Sequence, residues 1–306
     1  MITYKEFEVI RTLLSAGGPV SDIPEYVYAH KHYYVFKSPE EVAALASSLT
    51  DKGFLQDGAV TPAAMEELSP LKVENAVILA AGGSDISAKS VYSMPKGLYV
   101  KNGETLIERQ IRQLREAGIE DITVVVGYKQ EMYFFLAEKW GVELEINPDL
   151  KKNNIYSLYI AREHLGSTYI LNCDNYFEEN PFSQYEYNSY HATVRKDDAR
   201  NELLVKKNMS GRILQVYSGA PAGECIYGHA YLDRELSRRL RLFLDAEIDD
   251  FRVSALFWEE FISRHAEDLD MYVREYLRFA AGMGGVKNAV GRADEMIELT
   301  GDRKSV

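Results

Sequence analysis

Between residues 74 and 174 the chain alternates continuous apolar runs with segments whose apolar residues recur at helical spacing. The runs "AVILAA" (76–81), "DITVVVG" (121–127), "VELEINP" (142–148) and "TYILNCD" (168–174) predict strands, the most apolar of them buried on both faces. Between them, "TLIERQIRQLREAG" places Leu106, Ile107, Ile111 and Leu114 on one face and closes on Gly118. "EMYFFLAEKWG" and "YSLYIAREHLG" follow the same plan, each again stopped by a glycine. Strand–helix–strand repetition with short connections predicts a doubly wound, mostly parallel, Rossmann-like α/β sheet. Beyond Asp174 the pattern loosens. "HATVRK", "NELLVKK", "RILQVYS" and "YGHAYLD" predict strands, with Met209-Ser210-Gly211 as a hairpin turn, and "RELSRRLRLFLDAE" and "SALFWEEFISRH" predict helices.

The first 72 residues have a different texture and predict a separate domain, leaving 73–306 as the larger one. Within the latter, 73–180 forms one half and 181–306 a mixed α+β half. Ile10, Leu13 and Leu14 sit at helical spacing before Gly17-Gly18. Ser38-Pro39-Glu40-Glu41 predicts a helix start, with Ser38 as N-cap and Glu41 completing a capping box. "DKGFLQDGAVTPAAMEEL" predicts a small hairpin around Asp57-Gly58 and a helix opening at Thr61-Pro62. Helices followed by a hairpin resemble a winged helix-turn-helix module. Residues 1–72 hold six Lys/Arg against ten Asp/Glu, a net charge of −4, where a phosphate-contacting surface needs the opposite sign. A packing or homo-oligomerisation role therefore fits better than DNA binding. The aromatic patch "YVYAHKHYYVF" (26–36) fits core or interface better than a base-stacking platform.

Charge changes the picture for the whole chain too: at −12 it repels nucleic acid. No apolar run is long enough to span a membrane, and the N-terminus has no secretory signal pattern. With two cysteines in 306 residues, a cytoplasmic, reducing setting is expected rather than a disulfide framework.

In open parallel sheets, ligands sit at the carboxyl ends of the strands. Three such ends carry polar chemistry. After "AVILAA" come Gly82 and Gly83, a polar loop and Lys96; glycines let backbone amides approach phosphate, and a lysine adds positive charge. The spacing matches neither the P-loop nor the dinucleotide fingerprint. Asp174 closes "TYILNCD", where a carboxylate is either a Mg²⁺ ligand or the start of a turn. Gly127 and Tyr128 follow "DITVVV", where glycine lets a flat base lie against the backbone.

Together "VILAAGG…MPKGL", "ETLIERQIRQLREAGIEDITVVVGYK", "NPDLKKNNIYSLYIARE" and "YILNCDNYF" resemble the nucleotidyltransferases that activate sugar phosphates or phosphocholine. The segment "NNIYSL" makes the chain most similar to bacterial CTP:phosphocholine cytidylyltransferases. The resemblance implies the nucleotidyltransferase type of Rossmann-like sheet. It also implies a reaction in which CTP and a small phospho-alcohol give a CDP-alcohol and pyrophosphate, with Mg²⁺ as cofactor. It assigns Leu79, Ala80, Ala81, Gly82 and Gly83 to nucleotide binding, Lys96 to the phosphates, Gly127 and Tyr128 to the base, and Asp174 to Mg²⁺. For a quaternary ammonium acceptor, aromatic faces and a carboxylate are expected; Asn154, Tyr156, Tyr231, Trp258 and Glu259 are the candidates.

The chain departs from this pattern in three places. At constant loop length, Ser84 stands where the family has its second loop glycine and Ile86 where it has an arginine, leaving Lys89 as the loop's only basic residue. In "NAVGRADEMIEL" the second metal carboxylate falls on Gly291, or on Asp294 after a three-residue shift. Leu203 stands where phosphocholine enzymes tend to have Trp, which leaves room for phosphoethanolamine or 2-aminoethylphosphonate. The expected function is Mg²⁺-dependent cytidylyl transfer to phosphocholine or a related phospho-amino-alcohol. The alternatives are a non-catalytic, ligand-binding descendant and a 2-aminoethylphosphonate or sugar-phosphate nucleotidyltransferase.

Overall fold

The computed structural model describes residues 2–31, 35–82 and 94–275. Four helices, α1 (Tyr4–Leu14), α2 (Ile23–His30), α3 (Pro39–Asp51) and α4 (Pro62–Leu68), form a small N-terminal unit. Between α3 and α4, the two-residue strands β1 (Leu55–Gln56) and β2 (Ala59–Val60) pair antiparallel around Asp57-Gly58. Thr61 caps α4 as expected, accepting the Ala64 N–H. The capping box expected at α3 does not form. Ser38 makes no side-chain cap bond, and Glu41 instead accepts the Lys37 N–H and pairs with Lys5. Helix α2, opened by an Asp22 cap on Glu25, accounts for the first part of the aromatic patch. Phe7, Ile10, Val42, Leu49 and Leu68 form this unit's core, which extends to Tyr185 of the main body.

The main body continues with β3 (Asn75–Ala80), a hairpin of β4 (Val100–Lys101) and β5 (Glu104–Thr105), α5 (Leu106–Glu116), β6 (Asp121–Val126), α6 (Phe135–Trp140), β7 (Glu143–Ile146), α7 (Asn154–Ile160) and β8 (Thr168–Asn172). The second half adds β9 (Tyr190–Lys196), β10 (Leu204–Lys207), β11 (Ile213–Tyr217), β12 (Gly223–Leu232), α8 (Arg234–Glu247), α9 (Phe251–Ser254), α10 (Trp258–Arg264) and β13 (Tyr272–Glu275). Among the described residues all of these strands except the β4–β5 hairpin build one nine-stranded sheet, with β7, β6, β3 and β8 adjacent and parallel in that order. Strand β12 then joins β8 and β9 antiparallel, β10 and β11 extend that edge, and β13 lies parallel to β9. The sheet is mixed, with a parallel first half.

Why β3 reads as an unbroken apolar run is visible in its two faces. Ala76, Ile78 and Ala80 pack toward Ile107, Ile111 and Leu114 of α5. Val77 and Leu79 pack toward Ile155 and Leu158 of α7 and Leu236 and Leu240 of α8. Side chains alternate, but both faces are covered, so neither side selects polar residues.

Candidate active site

From β3 the chain winds outward through β6 to β7, then returns to β8 on the other side of β3. Such a reversal leaves a crevice at the carboxyl ends of the two strands. Here it is a cleft of about 370 Å³, lined on the β3 side by Leu79, Ala81 and Gly82 and on the β8 side by Asn172, Cys173 and Asp174. Lys96 enters from the turn that follows Pro95, and its Nζ lies 3.5 Å from Asp174 Oδ2. Both side chains are over 40 % exposed, so each is available to a ligand.

Gly97 explains how Lys96 comes so close to Asp174. A Cβ there would stand 3.0 Å from the Cys173 Cβ and 3.1 Å from the Tyr133 hydroxyl, so a bare backbone lets the two segments pack. Burial, reinforced by the Asp174 charge, pushes the Cys173 thiol up to about 12, away from the reactive thiolate form. Asp174 is the third residue of a turn spanning Asn172–Asn175, in which the Asn175 N–H and side-chain amide both donate to the Asn172 carbonyl.

Gly127 serves packing. A Cβ there would meet Leu150 at 2.6 Å and Ala81 at 3.0 Å, and the next residue, Tyr128, donates its N–H to the Ala81 carbonyl. Gly127 thus lets the end of β6 press on the segment after β3, and neither it nor Tyr128 lines the cleft. Ala80 is a buried strand residue behind Ala81. Gly83, Lys89 and Asp294 lie outside the described residues, as do Ser84, Ile86 and Gly291.

On the acceptor side the expected residues divide. Asn154 and Glu259 line the cleft. The Asn154 side-chain oxygen accepts the Trp258 N–H, and Asn153 caps α7 while its side chain donates to the Ala255 carbonyl. The "NNIYSL" segment therefore stitches α7 to α10. Glu259 is 3 % exposed; its Oε1 lies 3.8 Å from His191 Nε2, and its Oε2 is buried with no hydrogen-bond partner among the described residues.

Tyr231, Trp258 and Tyr156 do not line the cleft. Tyr231 is 2 % exposed, pairs with Tyr169 near the start of β8, and shares a hydrogen bond with Ser167, which places it away from the Asp174 end. Trp258 is buried with its ring stacked on His191. Tyr156, on α7, is partly buried against the core, and the Lys152 ammonium covers its ring at 3.7 Å. The aromatic side chains in the cleft are instead Tyr227 and Phe257, joined by Leu203 and Ile226. Asn147, another cleft residue the sequence reading missed, is buried at the end of β7 and donates to the Ser157 hydroxyl. Its signal was positional, a polar residue directly after a strand end on the carboxyl edge.

The donor set fits a hard divalent cation: one exposed carboxylate at a turn apex, in a cleft with room for phosphate oxygens, which would supply the other ligands. Away from the cleft, Glu143, Glu145 and His164 gather at the β7 edge, where His164 Nε2 lies 3.3 Å from Glu145. No described helix is long and apolar enough to cross a membrane.

Comparison with known proteins agrees with this geometry. Residues 76–225 match the MobA-like NTP transferase domain. The choline-phosphate cytidylyltransferase of Streptococcus pneumoniae is 32% identical over 201 residues, 65% of this chain and 88% of that protein. A 2-aminoethylphosphonate cytidylyltransferase of Lancefieldella rimae is 30% identical over 204 residues, 65% and 83% of the two chains. Among solved structures, the CTP:phosphocholine cytidylyltransferase of S. pneumoniae superposes with a TM-score of 0.61 at 31% identity, covering 66% of this chain and 90% of that one. The inositol-1-phosphate CTP transferase of T. maritima shares the fold, with a TM-score of 0.53 at 16% identity over 67% and 86% of the chains. The chain is therefore a member of the MobA-like nucleotidyltransferase family, an enzyme related to the cytidylyltransferases.

Proposed function

We propose that the protein transfers the cytidylyl group of CTP to the phosphate of an acceptor that also carries an ammonium group, phosphocholine or a related phospho-amino-alcohol, with release of pyrophosphate. The observation that carries this reading is Glu259, a buried carboxylate in the wall of the cleft that contains Lys96 and Asp174. A buried charge without a full set of partners is costly, and a ligand cation in the cleft relieves that cost. Tyr227 and Phe257 supply aromatic surface in the same wall.

In the reaction, an oxygen of the acceptor phosphate attacks the α-phosphorus in line and pyrophosphate leaves. Little covalent chemistry falls to the protein, so holding the two phosphates together and neutralising their charge does most of the catalysis. The Lys96 ammonium meets the nucleotide phosphates. Ala81 and Gly82 bring the backbone toward the nucleotide, and Glu259 holds the acceptor by its cationic end, aiming its phosphate toward Asp174. A divalent cation, Mg²⁺ in our reading, held by Asp174 would neutralise charge at the reacting phosphate. The N-terminal unit we assign to packing, supported by its net negative charge and by a core that takes in Tyr185.

One observation favours a primary ammonium, as in phosphoethanolamine or 2-aminoethylphosphonate: Leu203 lines the cleft, in place of an aromatic face that a quaternary ammonium would use. Pyrophosphate release from CTP and Mg²⁺, measured with each acceptor in turn, tests the proposal. No release with any ammonium-bearing acceptor, despite measurable CTP binding, would contradict it.

A further inference from the structure

We propose that Gln110 is a positioning residue for nucleotidyl transfer, holding the Asp174 turn in register with Lys96. Gln110 projects from α5, is fully buried, and does not itself line the cleft. Its side-chain amide donates to the Asn172 carbonyl at 3.0 Å and to the Asn175 carbonyl at 2.8 Å, the first and last residues of the turn that carries Asp174. One planar group thus bridges both ends of the turn and fixes its width. The Gln110 Oε1, in contrast, is buried with no hydrogen-bond partner among the described residues. Turning the amide over would set that oxygen against two carbonyl oxygens, so its orientation is locked. A buried acceptor left without a donor destabilises a fold, and methionine would fill the same space without it. Gln113, one helical turn on, is the natural control. It is equally buried and also has an unpartnered Oε1, but it donates to the Phe177 carbonyl, beyond the turn.

The inference rests on Asp174 taking part in the reaction, so Asp174→Ala is run alongside. The test compares steady-state kinetics of Gln110→Met and Gln113→Met, with hydrogen exchange of the peptide covering 172–178 in each. Expected for Gln110→Met is a fall in kcat of about 10- to 100-fold, with KM for CTP within about threefold and faster exchange confined to that peptide. Gln113→Met is expected to keep kcat within about threefold of the parent. A Gln110→Met enzyme with parental kcat, or an equal loss in Gln113→Met, would overturn the inference. If Gln110→Met does not fold, Asn175→Ala removes the other side-chain donor to the Asn172 carbonyl and carries the same expectation; parental kcat there would overturn it too. Retained activity in Asp174→Ala would instead sink the role of Asp174 itself.

Discussion

Lys96 Nζ and Asp174 Oδ2 face each other at 3.5 Å across the mouth of the cleft, although 78 residues separate them in the chain. Both are exposed, so this contact contributes little to stability and its value lies in placing opposite charges where phosphates gather. Asp174→Ala and Lys96→Ala should each lower kcat/KM for cytidylyl transfer by on the order of 10²–10³ while leaving the thermal midpoint nearly unchanged. Steady-state kinetics with calorimetry on the same samples would check this, and full activity in either variant would mean that the site is misplaced.

Gly97→Ala tests the packing beneath that pair. The added methyl meets Cys173 and Tyr133 inside ordinary contact distance, so one of the two segments must shift. Overpacking of this kind typically costs about 1–3 kcal/mol. Denaturant unfolding should report such a loss, and kcat should fall because the displaced segments carry Lys96 and Asp174.

At the junction with the N-terminal unit, Glu186 is fully buried and accepts hydrogen bonds from Tyr169, Tyr190 and Arg274, with Arg11 of α1 3.6 Å away. Burial alone would raise its carboxyl, but the Arg274 and Arg11 charges outweigh that and hold it below the usual range. Glu186→Gln keeps the shape but removes the buried carboxylate that faces Arg274, so we expect a loss of about 3–5 kcal/mol. Equilibrium denaturation would measure it; a loss under about 1 kcal/mol would contradict the network's role.

His229 gives a pH signature. Burial, with the neighbouring His191 adding to it, lowers its imidazole from 6.5 to about 3, among the rings of Tyr169, Phe177 and Phe182. The folded chain therefore keeps His229 neutral while the unfolded chain binds a proton below pH 6.5. Its contribution is fully present above 6.5 and is lost as pH falls toward 3, by about 1.4 kcal/mol per pH unit. His229→Phe should flatten that slope in denaturation curves measured at successive pH values; an unchanged slope would assign it to other groups.

How much of this was legible in the sequence varies with the range of the interactions. Strands β3, β6 and β8 announce themselves because burial on both faces forces continuous apolar runs. Lys96 and Asp174 stand out in the sequence because strand ends on the carboxyl edge are where a parallel sheet exposes polar groups, and the structure brings the two together in one cleft. The acceptor side was read less well. Gly228, at φ +71°, marks a break in the β9–β12 register between Ile226 and Ala230, so strand alternation does not tell Tyr227 from Tyr231. Trp258 looked like a cage wall, but its ring stacks on His191, a contact 67 residues away that no local spacing encodes. Gln110 carries no sequence signal at all, because its partners lie 62 and 65 residues downstream.

The most direct test of the account compares acceptors against the Glu259 carboxylate. Pyrophosphate release from CTP is measured with phosphocholine, phosphoethanolamine, 2-aminoethylphosphonate and a phospho-alcohol whose alcohol portion is uncharged, for the parent enzyme and Glu259→Gln. The account predicts turnover with at least one ammonium-bearing acceptor and at least about 10-fold lower kcat/KM with the uncharged one. It further predicts that Glu259→Gln erases most of that difference. Equal rates with charged and uncharged acceptors, or discrimination untouched by Glu259→Gln, would contradict it.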